Sequence, residues 1–329
     1  MTGDTIINGT DIYTTYGAFI SLDGYNGVVG WPASKPVEYN DWMEEDGIEV
    51  DLSALKLDSR EFEVSFGIQR PDVSDVHTFY AFLCSEPTMT CSFNTLGLTN
   101  KTYRVLGMSS VDYFFTFGEV RVRLADDAPM KGYEYLAPSV TNPLPNSPFK
   151  LESTRFSDYG VRTLYGTLGS VAQRGSIKQF LLRNISTIDG SLYDPNPKLW
   201  NDSEWTQAQT HGTPKHQPIE VQLKCALTAP TTAEFWRNYN AFLHDLISPD
   251  NTKAALKKCE KTLSLDHDLL YCYYEGQSVE DVALWSDKIM TQFTVSMLVM
   301  SGLSEELIRF LAAESGILVI TEDGNLIRV

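Results

Sequence analysis

The sequence predicts an α+β fold that is mainly antiparallel β. It has two tandem β-sandwich or barrel-like domains, each with one packed helix, followed by a C-terminal helix and β-hairpin. Three observations predict it. The chain repeats one order of signals on either side of a proline-rich stretch. Each half alternates apolar and polar residues at the period of a half-buried strand. Each half carries one amphipathic helix near its middle. The first half reads Thr15-Tyr16-Gly17, then Glu61-Phe62-Glu63-Val64-Ser65-Phe66, then Tyr80-Ala81-Phe82-Leu83. The second reads Asp158-Tyr159-Gly160, then Ile219-Glu220-Val221-Gln222-Leu223-Lys224, then Asn240-Ala241-Phe242-Leu243. Each ends in a further alternating strand, at 119–124 and 293–299. Two copies at a period well above that of solenoid repeats read as tandem globular domains. In this alignment Phe62, Val64 and Phe66 take the places of Ile219, Val221 and Leu223. Ala81 takes that of Ala241, a small residue where helix and sheet approach closely.

The elements follow in order. Ile6-Ile7-Asn8-Gly9-Thr10-Asp11 is a hairpin signal, because Asn-Gly supplies the positive φ angles of a two-residue turn. Phe62, Val64, Phe66 and Ile68 give their strand one buried face, with Glu61 and Glu63 on the wet one. After Pro71-Asp72, Val76, Phe79, Tyr80 and Leu83 fall at helical spacing. Strands are predicted at 89–93, 103–108, 113–117 and 119–124. Five prolines between 129 and 148 favour an extended connector. The boundaries are 1–125 for the first domain, 126–153 for the linker, 154–300 for the second domain and 301–329 for an appendage. The second domain carries an insertion at 189–218, with Trp200, Trp205, His211 and His216. Its helix opens on Thr231 and Glu234 as a capping box. Phe235, Trp236, Tyr239, Phe242, Leu243 and Leu246 cover one face, read as core against the sheet. The appendage combines a helix at 301–315 with the apolar runs 317–321 and 326–329 around Glu322-Asp323-Gly324-Asn325. Ile317, Val319, Leu326 and Ile327 need a partner to bury them, and a second chain can supply it.

Composition narrows the function. The 329 residues carry 26 basic and 43 acidic side chains, a net charge of −17. That balance disfavours holding nucleic acid by phosphate neutralisation, so no sequence-specific nucleic-acid partner is expected. No apolar run is long enough to span a membrane. The N-terminus lacks the features of a secretory signal, and five scattered cysteines suit reduced thiols in a protein made in a cytoplasm. The acidic run from Glu38 to Asp51 lacks the ligand spacing of a calcium loop and reads as a solvated loop.

Candidate chemistry is thin. His211 and His216 lack further ligands for a metal. Asp266-His267-Asp268 alternates across an extended segment, so its side chains do not converge. No nucleophile elbow, phosphate loop or dinucleotide fingerprint occurs. Cys84 reads as a packed small hydrophobe with no nearby cation to form a thiolate. No catalytic residue, cofactor or metal site is assigned, and the chain is expected not to be an enzyme.

Antiparallel strands, one amphipathic helix and further strands, with Ile6-Ile7-Asn8-Gly9 near the start and Glu63-Val64-Ser65-Phe66 before the helix, resemble the tube-like domains of tailed-phage tail proteins. Distal tail proteins and baseplate hub proteins are the nearest in plan. The run from Ala313 to Gly324 is similar to endings of phage structural proteins. The resemblance spans 1–125 and 154–300, and the 189–218 insertion departs from it. It implies a virion structural protein whose copies form a trimeric or hexameric ring against tube, tip or fibre proteins. In such a ring Glu61 and Glu63 would face the lumen, where an acidic wall lets DNA pass. Trp200, Trp205 and the C-terminal hairpin would be arms between subunits. The alternative is a carbohydrate-binding or carbohydrate-processing protein, with Trp200, Trp205, Tyr193 and Asp194 as a sugar platform.

Overall fold

Alternation is realised in a ten-residue strand, Arg60–Gln69, in which Val64, Phe66 and Ile68 are buried and Glu61 and Glu63 are exposed. The computed structural model describes residues 2–21, 23–40, 48–52, 55–69, 73–113, 117–141, 149–151, 154–168, 171–173, 185–186, 215–216, 219–248, 261–265, 268–284, 288–301, 319–320 and 326–327. Within these, the chain is mainly antiparallel β with four α-helices.

The first half runs β1 (Thr5–Ile7), β2 (Thr10–Asp11), α1 (Ile12–Tyr16), β3 (Ala18–Ile20), α2 (Asn26–Val29), β4 (Tyr39–Asn40), β5 (Glu49–Val50), β6 (Arg60–Gln69), α3 (Val73–Leu83), β7 (Thr88–Phe93), β8 (Leu98–Tyr113) and β9 (Phe117–Asp126). The second runs β10 (Phe149–Leu151), β11 (Thr154–Arg155), a 3-10 turn (Phe156–Tyr159), β12 (Val161–Leu168), β13 (Val171–Gln173), β14 (Ile185–Ser186), β15 (Lys215–His216), β16 (Ile219–Ala229), α4 (Thr232–Ile247), β17 (Lys261–Leu265), β18 (Asp268–Leu284) and β19 (Ile289–Ser301). A last pair, β20 (Val319–Ile320) and β21 (Leu326–Ile327), forms the C-terminal hairpin.

The main sheets are ordered β2-β1-β7-β8-β9-β6-β3 and β11-β10-β17-β18-β19-β16-β12-β13. Matched in chain order, the first seven positions are the same. Asn8 and Gly9 turn the β1–β2 hairpin with φ of 48° and 77°, both positive as a two-residue turn of this hand requires. Gly17 and Gly160 both take the left-handed conformation on entry to β3 and β12. Ala18 pairs with Ile68 and Val161 with Leu227. This registers Phe62, Val64 and Phe66 with Val221, Leu223 and Cys225, two residues away from the alignment read in the sequence. A slip of two leaves every side chain on its face, so alternation alone does not resolve it.

Other expectations change as well. The strands expected at 103–108 and 113–117 are not separate elements: 103–113 belong to β8, one sixteen-residue strand bent by bulges at Leu106 and Ser109, Phe117 opens β9, and 114–116 lie outside the described residues. The second sheet begins at Phe149, inside the stretch assigned to the linker. Ala241 is buried as the close approach of helix and sheet requires, but Ala81 is exposed. Cys84 is exposed too, not packed.

The two sheets share one continuous core. Phe66, Phe79 and Phe93 of the first half and Tyr239, Phe242 and Phe293 of the second belong to the same cluster of buried side chains. Helix α4 sits at its centre. Thr231 caps it by accepting from the Glu234 N–H at 3.2 Å, while the Glu234 carboxylate turns away from the expected box and accepts from Thr141. Buried Asn238 holds the linker with a paired bond, accepting from Ser139 N at 2.8 Å and donating to Ser139 O at 3.0 Å.

Candidate functional site

Two surfaces stand out, the charged face of the first sheet and the junction between the halves. On the first, Glu61 and Glu63 project from β6 beside Arg121 and Arg123 of β9. Arg123 donates to Glu61 at 2.9 Å, Arg121 donates to Glu119 at 3.0 Å, and Ser109 donates to Glu63. Exposed pairs of this kind add little to stability. The two carboxylates are thus partnered within a lattice of mixed charge and do not form a bare acidic wall. At the matching positions of the second sheet stand Glu220 and Gln222, with Lys224 paired to Glu280 nearby.

The junction is built by the connector at 21–59, between β3 and β6. Helix α2 lies so close to β6 that a Cβ on Gly27 would stand 2.4 Å from the Glu63 carbonyl. Arg60 reaches beneath it, buried, and its Nη1 donates to the carbonyls of Gly27, Val28 and Gly30 at the end of α2. Those carbonyls lack partners within so short a helix. The guanidinium also lies 4.4 Å over the Phe62 ring and 3.7 Å from Asp126. Burial pulls the Arg60 pKa down, an effect that nearby Tyr103 and Asp126 oppose. Burial pushes the phenols of Tyr103 and Tyr239 up.

The connector continues across the second sheet. Tyr239 donates to Val29 O at 3.2 Å, Tyr274 to Pro32 O at 2.8 Å and Trp31 N to Gln277 Oε1 at 3.0 Å. Trp236, on the expected aromatic stripe, donates from its indole to Leu96 O of the first half at 2.6 Å. Three residues of the β18–β19 ladder are bulged out of register: Glu275, Glu280 and Met300. Each offers its carbonyl to the connector. Ser34 N donates to Glu275 O at 2.8 Å, Asn26 Nδ2 to Glu280 O at 2.9 Å and Ile48 N to Met300 O at 3.2 Å. A bulge removes a ladder partner, and here a distant segment replaces it. Each such bond contributes about 1 kcal/mol. A cleft of about 310 Å³ opens beside the junction, with Trp31, Arg60, Tyr103, Met130, Tyr133 and Trp236 among its walls.

One group imitates a catalytic triad. His244 Nδ1 lies 3.2 Å from Asp245 Oδ1, and Ser248 Oγ lies 3.1 Å from the same nitrogen and 2.9 Å from Nε2. A relay needs serine and aspartate on opposite ring nitrogens. Here Ser248 Oγ is almost equally near both nitrogens, so it is in line with neither, and Asp245 is further occupied by Tyr159 at 2.8 Å and Tyr135 at 3.1 Å. The arrangement closes the end of α4. Cys91 and Cys225 have thiols pushed up to about 12 by burial. Among the described residues no group of three or more His, Cys, Asp or Glu is placed to hold a metal ion, and no helix is long and apolar enough to cross a membrane.

Of the residues singled out in the sequence, Glu61 and Glu63 share the exposed face of the first sheet. Val319 pairs with Ile327, and Ile320 with Leu326. Trp200, Trp205, Tyr193, Asp194, His211 and Ile317 lie outside the described residues, as does most of 189–218. Sequence reading missed Arg60, Asn238 and the bulges. Arg60 carried one signal, a cation at the head of an apolar strand. Comparison with protein-family models, with curated proteins and with solved structures found no match.

Proposed function

We propose that this chain is a structural subunit of a phage or prophage tail tip. Copies of it assemble into a trimeric or hexameric ring that continues or caps the tail tube, against tube, tip or fibre proteins. The observation that carries the reading is the likeness of the two sheets. They share strand order, a left-handed glycine at the entry to the third strand, and a bulge followed by glycine on the longest strand (Leu106-Gly107 and Glu275-Gly276). Such likeness is what a duplicated tube-like domain produces, and a chain with two such domains fills two places in a ring, so three chains fill six. The reading assigns the protein a role through shape, with no catalytic step and no cofactor. Glu61 and Glu63, with Glu220 at the matching place, face the lumen in this arrangement. Mass photometry and electron-microscopy class averages of the purified chain test it. The expected result is a discrete trimer or hexamer with a central channel. A chain that stays monomeric at micromolar concentration would sink the proposal.

A further inference from the structure

The cleft beside the junction draws its walls from both halves and from the stretch between them. Arg60 and Tyr103 come from the first sheet, Trp31 from the connector, and Trp236 and Asn240 from α4. A turn after β9, in which Lys131 N donates to Ala128 O and Tyr133 N to Met130 O, adds Met130, Lys131 and Tyr133. The volume of about 310 Å³ is that of a small-molecule site. Two polar groups in these walls are poorly satisfied. Arg60 is 9% exposed, and its Nε makes no hydrogen bond of ordinary geometry, although the Tyr103 hydroxyl is near enough to favour its charge. The Tyr133 hydroxyl is buried without such a bond too, with the Leu136 backbone close by. Buried donors in this condition are rare, and a molecule seated in the cleft would supply their acceptors.

The charges around the cleft are of both signs. Lys101, Lys131 and Glu134 stand exposed in its walls, while Asp126 is mostly buried, accepting from Ala128 N at 3.2 Å and lying 3.7 Å from Arg60. A phosphate would meet Asp126 and Glu134, and a cation would meet Arg60 and the two lysines. A hydrocarbon would satisfy none of them. A polyol suits both signs, because each hydroxyl donates to a carboxylate and accepts from an ammonium or amide. The rings of Trp31, Tyr103, Tyr133 and Trp236 add apolar surface with polar tips, which fits a molecule that is wet on its edge and apolar on its face. We infer that this cleft binds a sugar, roughly the size of one or two pyranose rings. Asp126, Asn240 and Lys131 hold its hydroxyls, and one sugar oxygen accepts from Arg60 Nε. The site is separate from the tryptophans of the 189–218 insertion, and it does not depend on the ring reading.

Saturation-transfer NMR and tryptophan fluorescence of the full chain test it. The probes are the methyl glycosides of glucose, galactose, mannose and N-acetylglucosamine, with inorganic phosphate and benzoate as an anion and an aromatic anion for comparison. At least one glycoside should bind saturably, with a Kd on the order of 1 mM or tighter. Its affinity should fall about tenfold in Asn240→Ala and in Lys131→Ala, the loss of one hydrogen bond each. Lys131 is on an exposed turn, so the second variant keeps the test decisive if the first fails to fold. Phosphate and benzoate should show no saturable binding. The site is overturned if no glycoside binds, or if a glycoside binds with the same affinity in every folded variant. Phosphate or benzoate binding that Lys131→Ala weakens, with no glycoside bound, overturns the sugar and leaves an anion cleft in its place.

Discussion

Phe66 pairs with Val120 in the first sheet, and at the matching place in the second Cys225 pairs with Phe293. The large and small residues have changed strands while the pair keeps its volume. In each half an aromatic from the helix meets whichever strand carries the ring. Phe79 lies 5.4 Å from Phe66, and Tyr239 lies 5.4 Å from Phe293. The difference teaches that the plan is held by volume across a ladder and by backbone devices, not by the same residue at the same place. A second contrast runs along the edges. Strand β3 leaves its sheet after three residues, freeing the connector to cross to the other half, while β12 continues for eight and turns back as β13. Arg60 marks the consequence. It stands where the second half has Ile219 and is needed only because α2 ends above it.

The largest effect expected is at Phe293. Phe293→Ala should cost about 3–5 kcal/mol in denaturant unfolding. Because the core is shared, it should lower one cooperative transition, as calorimetry reads it; two separate transitions would break the idea of a common core. Phe293→Val together with Cys225→Phe should recover part of the stability lost by Phe293→Val alone. No recovery would mean that the exchange of volume across the ladder is incidental.

Arg60→Ile gives the first half the residue of the second. It should cost about 2–4 kcal/mol, because three carbonyls at the end of α2 lose their donor. A neutral outcome in thermal melts would show that water reaches those carbonyls. The bulge glycines separate the halves more finely. Gly107 has a φ of +140°, which an L side chain rarely adopts, so Gly107→Ala should cost about 1–2 kcal/mol although its Cβ would meet nothing within 4 Å. Gly276 lacks that strain, and its Cβ would meet Ala33 at an ordinary 3.6 Å, so Gly276→Ala should be close to neutral. Equal costs would break the contrast.

The smallest effect is at Glu275, whose carboxyl is held above its ordinary value by burial and then by Glu220. The folded chain therefore holds this proton more tightly than the unfolded chain. The group causes no loss below the unfolded value of 4.5, and it lowers stability increasingly as pH rises through the folded value. Glu275→Gln should accordingly melt like wild type in acid and slightly higher at neutral pH. A variant less stable at neutral pH would reverse the sign.

Local signals in the sequence determined the strands, the Asn8-Gly9 turn, both central helices and the Thr231 cap, since alternation, helical spacing and capping act between residues near in the chain. They also placed Glu61 and Glu63 on a wet face. What covers an edge, which carbonyl is orphaned by a bulge and which cation is buried depend on segments hundreds of residues apart, as with Asn26 and Glu280. The same holds for Ala81 and Cys84, which are exposed although their local pattern suggested packing. Tertiary structure alone decided that the halves share a core and that Arg123 and Ser109 partner the two glutamates. Packing and hydrogen bonding between distant segments carry no local periodicity, so beyond the cation at the head of the Arg60 strand the sequence leaves no mark of them.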